Sequence, residues 1–243
     1  MPTHPLTPCP VLFEDRGILV VNKPAGVLSH PNEPLGEGAA FVGRYDATQR
    51  RFDGPSGKLW LIHRLDEDTS GVLLAAKTEQ AAERCRVAFE QDRVRKRYLA
   101  ALLGSGLGAG GAWLDHIATE PKHGRVRSVV KPGARPNAEL HFKRLAVNHD
   151  YKLTLVEIDL FTGRTHQIRV QAARRRNPVA GDDVYGDFSV NKSLKKELGL
   201  ERLFLHAHQL EILHPITQKH LKFTAPLADE LSAVASALGW KAP

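Results

Sequence analysis

Three polar segments of this sequence hold residue types that can do chemistry. In the first, His63-Arg64-Leu65-Asp66-Glu67-Asp68-Thr69-Ser70-Gly71, three carboxylates, a histidine and an arginine fall together. It separates two apolar runs, Leu59-Trp60-Leu61-Ile62 and Val72-Leu73-Leu74-Ala75-Ala76, which read as buried strands and would hold it beside a core. If strand alternation continues into the segment, Arg64 and Asp66 face the same side. A carboxylate held there can serve as a nucleophile or move a proton. The same composition also suits a plain turn, in which Asp and Thr side chains bond to backbone.

The second segment is Gly163-Arg164-Thr165-His166-Gln167-Ile168-Arg169. It reads as the start of a helix that opens at Thr162, runs to about Arg176 and is stopped by Pro178. On that helix Thr165 and Arg169 are one turn apart on one face. The alternative is an amphipathic helix with a basic solvent face. Arg174-Arg175-Arg176 at its end is a phosphate-binding patch or a terminus complementing the helix dipole. The third segment, Leu205-His206-Ala207-His208, puts two histidines on one face of a strand. No cysteine or carboxylate cluster accompanies them, so ordinary strand histidines are expected and no metal.

The elements that must position these segments follow from hydrophobic pattern. Val11-Leu12-Phe13 and Ile18-Leu19-Val20-Val21 are two strands around a Glu14-Asp15-Arg16-Gly17 turn. Residues 31–57 show little periodicity and read as a mobile loop with a short helix near 39–45. Thr78 is an N-cap and Glu79 suits the first turn; Ala81, Ala82, Cys85, Ala88 and Phe89 then recur at helical spacing up to about Arg93. Residues 97–102 form a further strand. The glycine-rich stretch from Gly104 to Gly111 lacks the Lys-Ser/Thr ending of a phosphate loop and reads as a flexible hairpin tip. Residues 138–160 read as strand, Asn148-His149-Asp150 turn, strand. Residues 203–213 are strand-like, and after Pro226 a helix aligns Leu227, Leu231, Val234 and Leu238. Strands outnumber helices and lie mostly in hairpin order. The expected class is α+β, a mixed, largely antiparallel central sheet flanked by helices. A proline-rich tail, 1–10, would precede a single domain, 11–243.

Composition narrows the field. Of 243 residues, 42% are hydrophobic and 25% charged, which excludes disordered, collagen-like and coiled-coil chains. Two cysteines, Cys9 and Cys85, make neither a disulfide scaffold nor a zinc ribbon and fit a reducing compartment. No apolar run approaches the roughly 20 residues of a membrane span, and the N-terminus lacks the basic-then-apolar pattern of a signal peptide. A soluble, cytoplasmic protein is expected. Lys and Arg number 34 against 27 Asp and Glu, a net charge of +7, which favours a polyanionic partner.

Taken together, the segments resemble the RluA-type family of RNA pseudouridine synthases. The resemblance starts at Val20-Val21-Asn22-Lys23-Pro24-Ala25-Gly26-Val27-Leu28 and continues through His63-Arg64-Leu65-Asp66 with Thr69-Ser70-Gly71, then Lys96-Arg97-Tyr98-Leu99-Ala100. It returns at Thr162-Gly163-Arg164-Thr165-His166-Gln167-Ile168-Arg169-Val170, at Gly181-Asp182-Asp183-Val184-Tyr185-Gly186 and at Leu205-His206-Ala207. These blocks keep the family's order and span most of the chain. Three features depart from the pattern: Gln171 stands where a histidine often follows, residues 31–57 carry little of it, and no S4-type RNA-binding domain precedes Val11.

The resemblance implies isomerisation of uridine to pseudouridine within RNA, without a cofactor, on the pseudouridine synthase fold with its cleft across the sheet. Asp66 would be the catalytic aspartate. Tyr98 would stack on the target uracil, and Arg169 would pair with the aspartate. Arg64 would fill the space left by the flipped base. His63, Thr69, Gly163, Arg164, His166 and Gln167 would join Arg64 in binding substrate. Arg95, Lys96, Arg97, Arg174, Arg175 and Arg176 would contact RNA phosphates. The expected partner is structured tRNA or rRNA, acted on by a monomer with no metal and no membrane. Burial beside a stacked base would raise the pKa of Asp66 and a neighbouring guanidinium would lower it, so a partly buried Asp66–Arg169 pair is expected. Three other functions stay open: a non-catalytic RNA-binding module on the same fold, a glycosidase, and an RNA chaperone acting by charge. Against the glycosidase, Asp66 and Glu67 would point to opposite faces of a strand.

Overall fold

The computed structural model describes residues 4–31, 38–122 and 125–241. In chain order the elements begin with strands β1 (Val11–Glu14), β2 (Ile18–Lys23), β3 (Arg44–Asp46), β4 (Arg51–Gly54), β5 (Gly57–Leu61) and β6 (Ser70–Ala76), then helix α1 (Glu79–Glu90). Strands β7 (Arg95–Leu103), β8 (Gly110–Asp115), β9 (Ile117–Lys122), β10 (Arg125–Val130), β11 (Ala138–Asn148) and β12 (Leu153–Leu160) follow. Helices α2 (Gln167–Arg174) and α3 (Phe188–Leu198), strands β13 (Leu205–Leu213) and β14 (His220–Thr224), and helix α4 (Asp229–Ala237) complete the chain. The paired strands are largely antiparallel and the helices few, as an α+β fold requires. No helix of the described residues is long and apolar enough to cross a membrane.

The chain forms two compact units, Met1–Arg95 with Ala207–Pro226, and Lys96–His206 with Leu227–Pro243. In the first, β6 is central. Its sequence is apolar after Ser70 and every residue is buried, the pattern of a strand covered on both faces. It pairs antiparallel with β2 along its length and with β5 at Ala75 and Ala76. The core gathers Ile18, Val20, Val72, Leu74, Ile212 and Phe223 against Ala81, Ala82 and Cys85 of α1. That helix starts where expected, the Thr78 hydroxyl accepting from the Ala81 amide at 3.2 Å. Burial alone pushes the Cys85 thiol up to about 12, so it packs as an inert small hydrophobe.

Two expectations about this unit are corrected. Residues 38–57, read as part of a mobile loop with a short helix, carry the hairpin β3–β4, which adds to β5. The hairpin holds because Tyr45 and Phe52 face each other across it, both buried, with ring centroids 4.8 Å apart. Residues 32–37 of that stretch lie outside the described residues. The expected N-terminal tail is packed from its fourth residue. Leu6, Thr7 and Cys9 are buried, and the Thr7 hydroxyl donates to the Ala40 carbonyl at 2.6 Å.

In the second unit the strands run β7-β12-β11-β8. Leu99, Ala101, Leu153 and Leu155 pack against Leu194 of α3 and against Leu231, Val234 and Leu238 along α4, the face expected after Pro226. The glycine-rich stretch ends in β8, not in a free tip. A separate two-stranded ribbon, β9–β10, sits over a small cluster of Ile117, Ala138 and Val170, with Val130 and Tyr185 at its margin.

Helix α3 has no counterpart in the hydrophobic pattern of the sequence. Its ends carry ordinary signals: Asp187 caps the Ser189 and Val190 amides, and Gly199 closes it in the left-handed region. Its apolar face is thin, with Leu194 its buried residue, so periodicity is faint. Helix α2 begins at Gln167, five residues after the expected Thr162, because His166 adopts the left-handed conformation at φ 54°. Thr165 therefore stands outside the helix, not one turn from Arg169 on its face.

Candidate active site

The residues that the resemblance assigns to catalysis, substrate or phosphate divide between the units. His63, Arg64, Asp66, Thr69 and Arg95 belong to the first, and the rest of that set to the second.

In the first unit Asp66 lies half-buried in the segment between β5 and β6, with Arg64 exposed and Leu65 buried before it. Its backbone neighbours are fastened on both sides. The Ser29 hydroxyl donates to the Leu65 carbonyl at 2.8 Å and accepts from the Leu65 amide at 2.9 Å. On the other side the Glu67 carbonyl accepts from the Gly26 amide at 3.0 Å and from the Lys23 ammonium at 2.9 Å. The Thr69 amide closes the turn onto the Asp66 carbonyl at 3.1 Å. Gly71 then carries the chain into β6 at φ 118°, where a Cβ would meet the Ala207 carbonyl oxygen at 2.2 Å. Glycine is required there on both counts.

Lys23 is the residue that sequence reasoning missed. It is fully buried, and its ammonium donates to the carbonyls of Pro24, Val27 and Glu67 at 2.9, 2.6 and 2.9 Å. Three donors meet three acceptors, which is how a charged amine is accommodated without water. The Asn22-Lys23-Pro24 block is legible in the sequence, but its contact with Glu67, 44 residues away, is not.

His63 has an intramolecular role. Its Nε2 accepts from the Leu74 amide at 3.1 Å, and its ring stacks on Phe89 of α1 at 5.1 Å. Thr69 is buried and its hydroxyl has no hydrogen-bond partner among the described residues. Arg95 is exposed.

In the second unit Tyr98 lies on β7 opposite Ile158 of β12 and is 9% exposed. Arg97 faces Asp159 on the same pair of strands. Its Nε is 3.1 Å from the Asp159 carboxylate and 3.5 Å from that of Glu157. Lys96 reaches the Phe161 carbonyl at 3.4 Å.

The turn before α2 is held by its own side chains. The Gln167 Oε1 accepts from the Thr162 hydroxyl at 2.8 Å and the Arg164 amide at 3.1 Å, while its Nε2 donates to the Glu139 carbonyl at 3.1 Å. Gln167, expected at substrate, is thus a buried clamp of this turn. Gly163 and Arg164 are exposed on this turn.

Arg169 follows on α2, 3% exposed. Its Nε and Nη2 bind the two oxygens of Asp182 at 2.8 and 2.9 Å. Asp182 also accepts from the Val184 and Tyr185 amides at 2.8 and 2.9 Å. Burial would raise its carboxyl, but the Arg169 bonds and charge and these two amides outweigh burial and hold it below the usual range. The Tyr185 ring lies against both Arg169 and Arg127, with guanidinium carbons 5.5 and 4.9 Å from its centroid. Its hydroxyl oxygen is 3.0 Å from the Ser128 amide and 3.0 Å from His166 Nδ1. His166 is therefore tied to Tyr185.

The arginine triplet at the end of α2 is not one patch. Arg174 and Arg176 are exposed, but Arg175 bonds to Asp115 at 2.7 Å and lies over the Trp113 ring at 4.8 Å. Gln171, which departs from the family's histidine, is fully buried and donates to the same Asp115 at 2.7 Å. Arg97 and Arg175, expected at RNA phosphates, thus hold intramolecular ion pairs in this structure. Among the described residues no group of three His, Cys, Asp or Glu side chains could hold a metal ion.

Known proteins share this arrangement's sequence and fold. The family model of RNA pseudouridylate synthases matches residues 17–174. The chain belongs to that family, in its RluA-type branch. It is 34% identical over 94% of its length to ribosomal large subunit pseudouridine synthase C of Vibrio vulnificus, covering 69% of that protein. It is 35% identical over 91% of its length to an uncharacterized RNA pseudouridine synthase of Bacillus subtilis, again covering 69%. The solved human RNA pseudouridylate synthase domain-containing protein 1 superposes at a TM-score of 0.67 with 25% identity, covering 95% of this chain and 94% of that one. The human domain-containing protein 4 gives 0.70 at 24% identity, over 96% and 94% of the two chains, and supports the fold. Members of this family are isomerases that act on RNA.

Proposed function

We propose that this pseudouridine synthase converts uridine to pseudouridine in ribosomal RNA of the large subunit, with Asp66 as its catalytic carboxylate. The relatives named as large-subunit synthases, matched over more than nine-tenths of this chain, support ribosomal RNA over tRNA. The observation that carries the role of Asp66 is the fastening of its loop. Ser29 and Lys23 hold the backbone on either side of it, so a half-buried carboxylate is presented from a fixed position.

In this reading the target uridine is extruded from its stack and bound against Tyr98. Extrusion costs a few kcal/mol, and base–aromatic stacking returns roughly 1–3 kcal/mol. Asp66 then assists cleavage of the glycosidic bond, by covalent attack at the ribose or at carbon 6 of the ring, or by removing a proton from the sugar. Arg169 supplies the guanidinium that the reacting carboxylate requires. A guanidinium has five N–H donors, enough to serve Asp182 and a second carboxylate together. Tyr98 also moves a proton when carbon 5 loses its hydrogen. Arg64, exposed beside Asp66, takes the space of the extruded base.

The test uses ribosomal RNA and tRNA pools carrying tritium at carbon 5 of uridine. Pseudouridine formation expels that hydrogen into water. Release from ribosomal RNA by the wild type and none by Asp66→Asn is expected. Release from tRNA alone overturns the substrate. Release undiminished in Asp66→Asn overturns the role of Asp66, and RNA binding with no release from either pool favours the binding module.

A further inference from the structure

The block Gly181-Asp182-Asp183-Val184-Tyr185-Gly186 belongs to no step derived so far, yet two of its side chains close on Arg169. Asp182 takes the Nε and Nη2 edge of the guanidinium with both oxygens, which fixes the plane of the group. The Tyr185 ring lies against its face, 5.5 Å from the guanidinium carbon. Edge and face together leave the group little freedom to turn.

The clamp is itself anchored. Asp182 is 1% exposed, and besides Arg169 its carboxylate accepts from the Val184 and Tyr185 amides. Its carbonyl accepts from the Gly186 amide and from Asn191 Nδ2 on α3, each at 3.0 Å. Asn191 returns a bond, its Oδ1 accepting from the Gly181 amide at 3.0 Å. Gly181 adopts φ 75°, and a Cβ there would meet the Arg202 carbonyl oxygen at 2.1 Å. Tyr185 is fixed at its hydroxyl by the Ser128 amide of β10 and by His166. The ribbon, the turn before α2 and the start of α3 thus converge on one guanidinium.

We infer that Asp182 and Tyr185 are positioning residues that set the orientation of Arg169 for the isomerisation. This rests on the reading of Arg169 given above. Neither residue touches the uridine in this inference; both act through Arg169. The groups that meet the Asp182 carboxylate, the Arg169 guanidinium and the Val184 and Tyr185 amides, are all donors. An asparagine in its place must therefore turn its NH2 toward another donor, whichever way it is oriented. The grip on Arg169 loosens while volume and shape are kept.

The experiment is single-turnover tritium release from carbon 5-labelled ribosomal RNA, with RNA affinity and thermal unfolding measured beside it. Asp182→Asn is expected to lower the rate about 10²-fold with RNA affinity held within about threefold, the signature of an interaction made in the transition state. Tyr185→Phe, which keeps the ring but removes the hydroxyl bonds, should lower the rate several-fold, again with affinity kept. The deciding measurement repeats Asp182→Asn in an Arg169→Lys background. Lysine cannot form the bidentate grip, so there the second substitution should change the rate by less than about threefold. An equal loss in both backgrounds, or a wild-type rate in Asp182→Asn, overturns the inference. If Asp182→Asn does not fold, Tyr185→Phe decides: a wild-type rate overturns the inference and a slower rate with unchanged affinity supports it. A wild type that releases no tritium is the failure of the proposed reaction, and is distinct from each of these.

Discussion

Asp66 sits in a loop whose backbone is fastened on both sides of it, whereas Arg169 is fastened by its own guanidinium. In the first unit the bonds of Ser29 and Lys23 end on carbonyls and an amide, not on the carboxylate. In the second unit a carboxylate and an aromatic ring grip the functional group itself. The contrast teaches that two routes lead to a fixed charged group. Holding the main chain fixes where the side chain starts. Holding the side chain fixes direction, at the cost of committing some of its donors.

Within the first unit, the charge that is presented and the charge that fastens should respond in opposite ways to removal. Asp66→Asn removes the proposed catalytic carboxylate and keeps the bonds that Ser29 and Lys23 make to the backbone beside it. It should lower turnover by on the order of 10³-fold or more, with the urea midpoint within error of wild type. A large drop in that midpoint would mean that Asp66 holds the loop, and the contrast would fail. Lys23→Met should do the reverse. It leaves the carbonyls of Pro24 and Val27 without their shared donor and removes one of two donors from Glu67. A loss of about 2–4 kcal/mol in urea unfolding is expected, with activity falling as the Asp66 loop loosens. Unchanged stability in Lys23→Met would show that the fastening is not what holds the loop.

How much of this was legible in the sequence depends on how locally each feature is determined. Ile18–Val21 of β2 and Val72–Ala76 of β6 are apolar runs whose burial follows from composition, and α1 is marked by Thr78 and by the spacing of Ala81, Ala82 and Cys85. The two segments that carry Asp66 and Arg169 stand out by residue type and family order. The β3–β4 hairpin is hidden because strands of three and four residues are too short to show alternation. Helix α2 starts later than its pattern suggests because nothing in Thr162-Gly163-Arg164-Thr165-His166 marks His166 for the left-handed region. The burial of Lys23, Asp182 and Gln167 escapes a sequence reading for a common reason. Polar residues are expected at the surface, and each is buried only because partners distant in sequence converge on it.

Acid should separate the two regions as well. The folded carboxyl of Asp182 lies below its unfolded value of about 3.9. Its contribution is therefore fully present above about pH 4 and is lost as pH falls through the folded value. The stability gap between wild type and Asp182→Asn should be constant from pH 7 to about pH 5 and narrow below about pH 4. Urea unfolding across that range reads it directly. A gap that does not narrow on acidification would mean that the buried pair contributes through packing and not through charge.

The smallest effects expected are at the arginines of α2, where neighbours in sequence have opposite fates. Arg174 and Arg176 are exposed, while Arg175 lies between Asp115 and the Trp113 ring. Alanine at Arg174 or Arg176 should reduce the slope of log affinity against log salt by about 0.7–0.9 for each phosphate no longer neutralised, and leave stability unchanged. Alanine at Arg175 should leave the slope alone and cost about 1 kcal/mol, since its ion pair is partly exposed and its stacking on Trp113 adds to it. A salt slope that falls most in Arg175→Ala would mean that RNA displaces Asp115 from this arginine on binding. The ion pair seen here would then be the resting partner of a phosphate contact, and the side-chain grip of the second unit would be an arrangement that substrate can exchange.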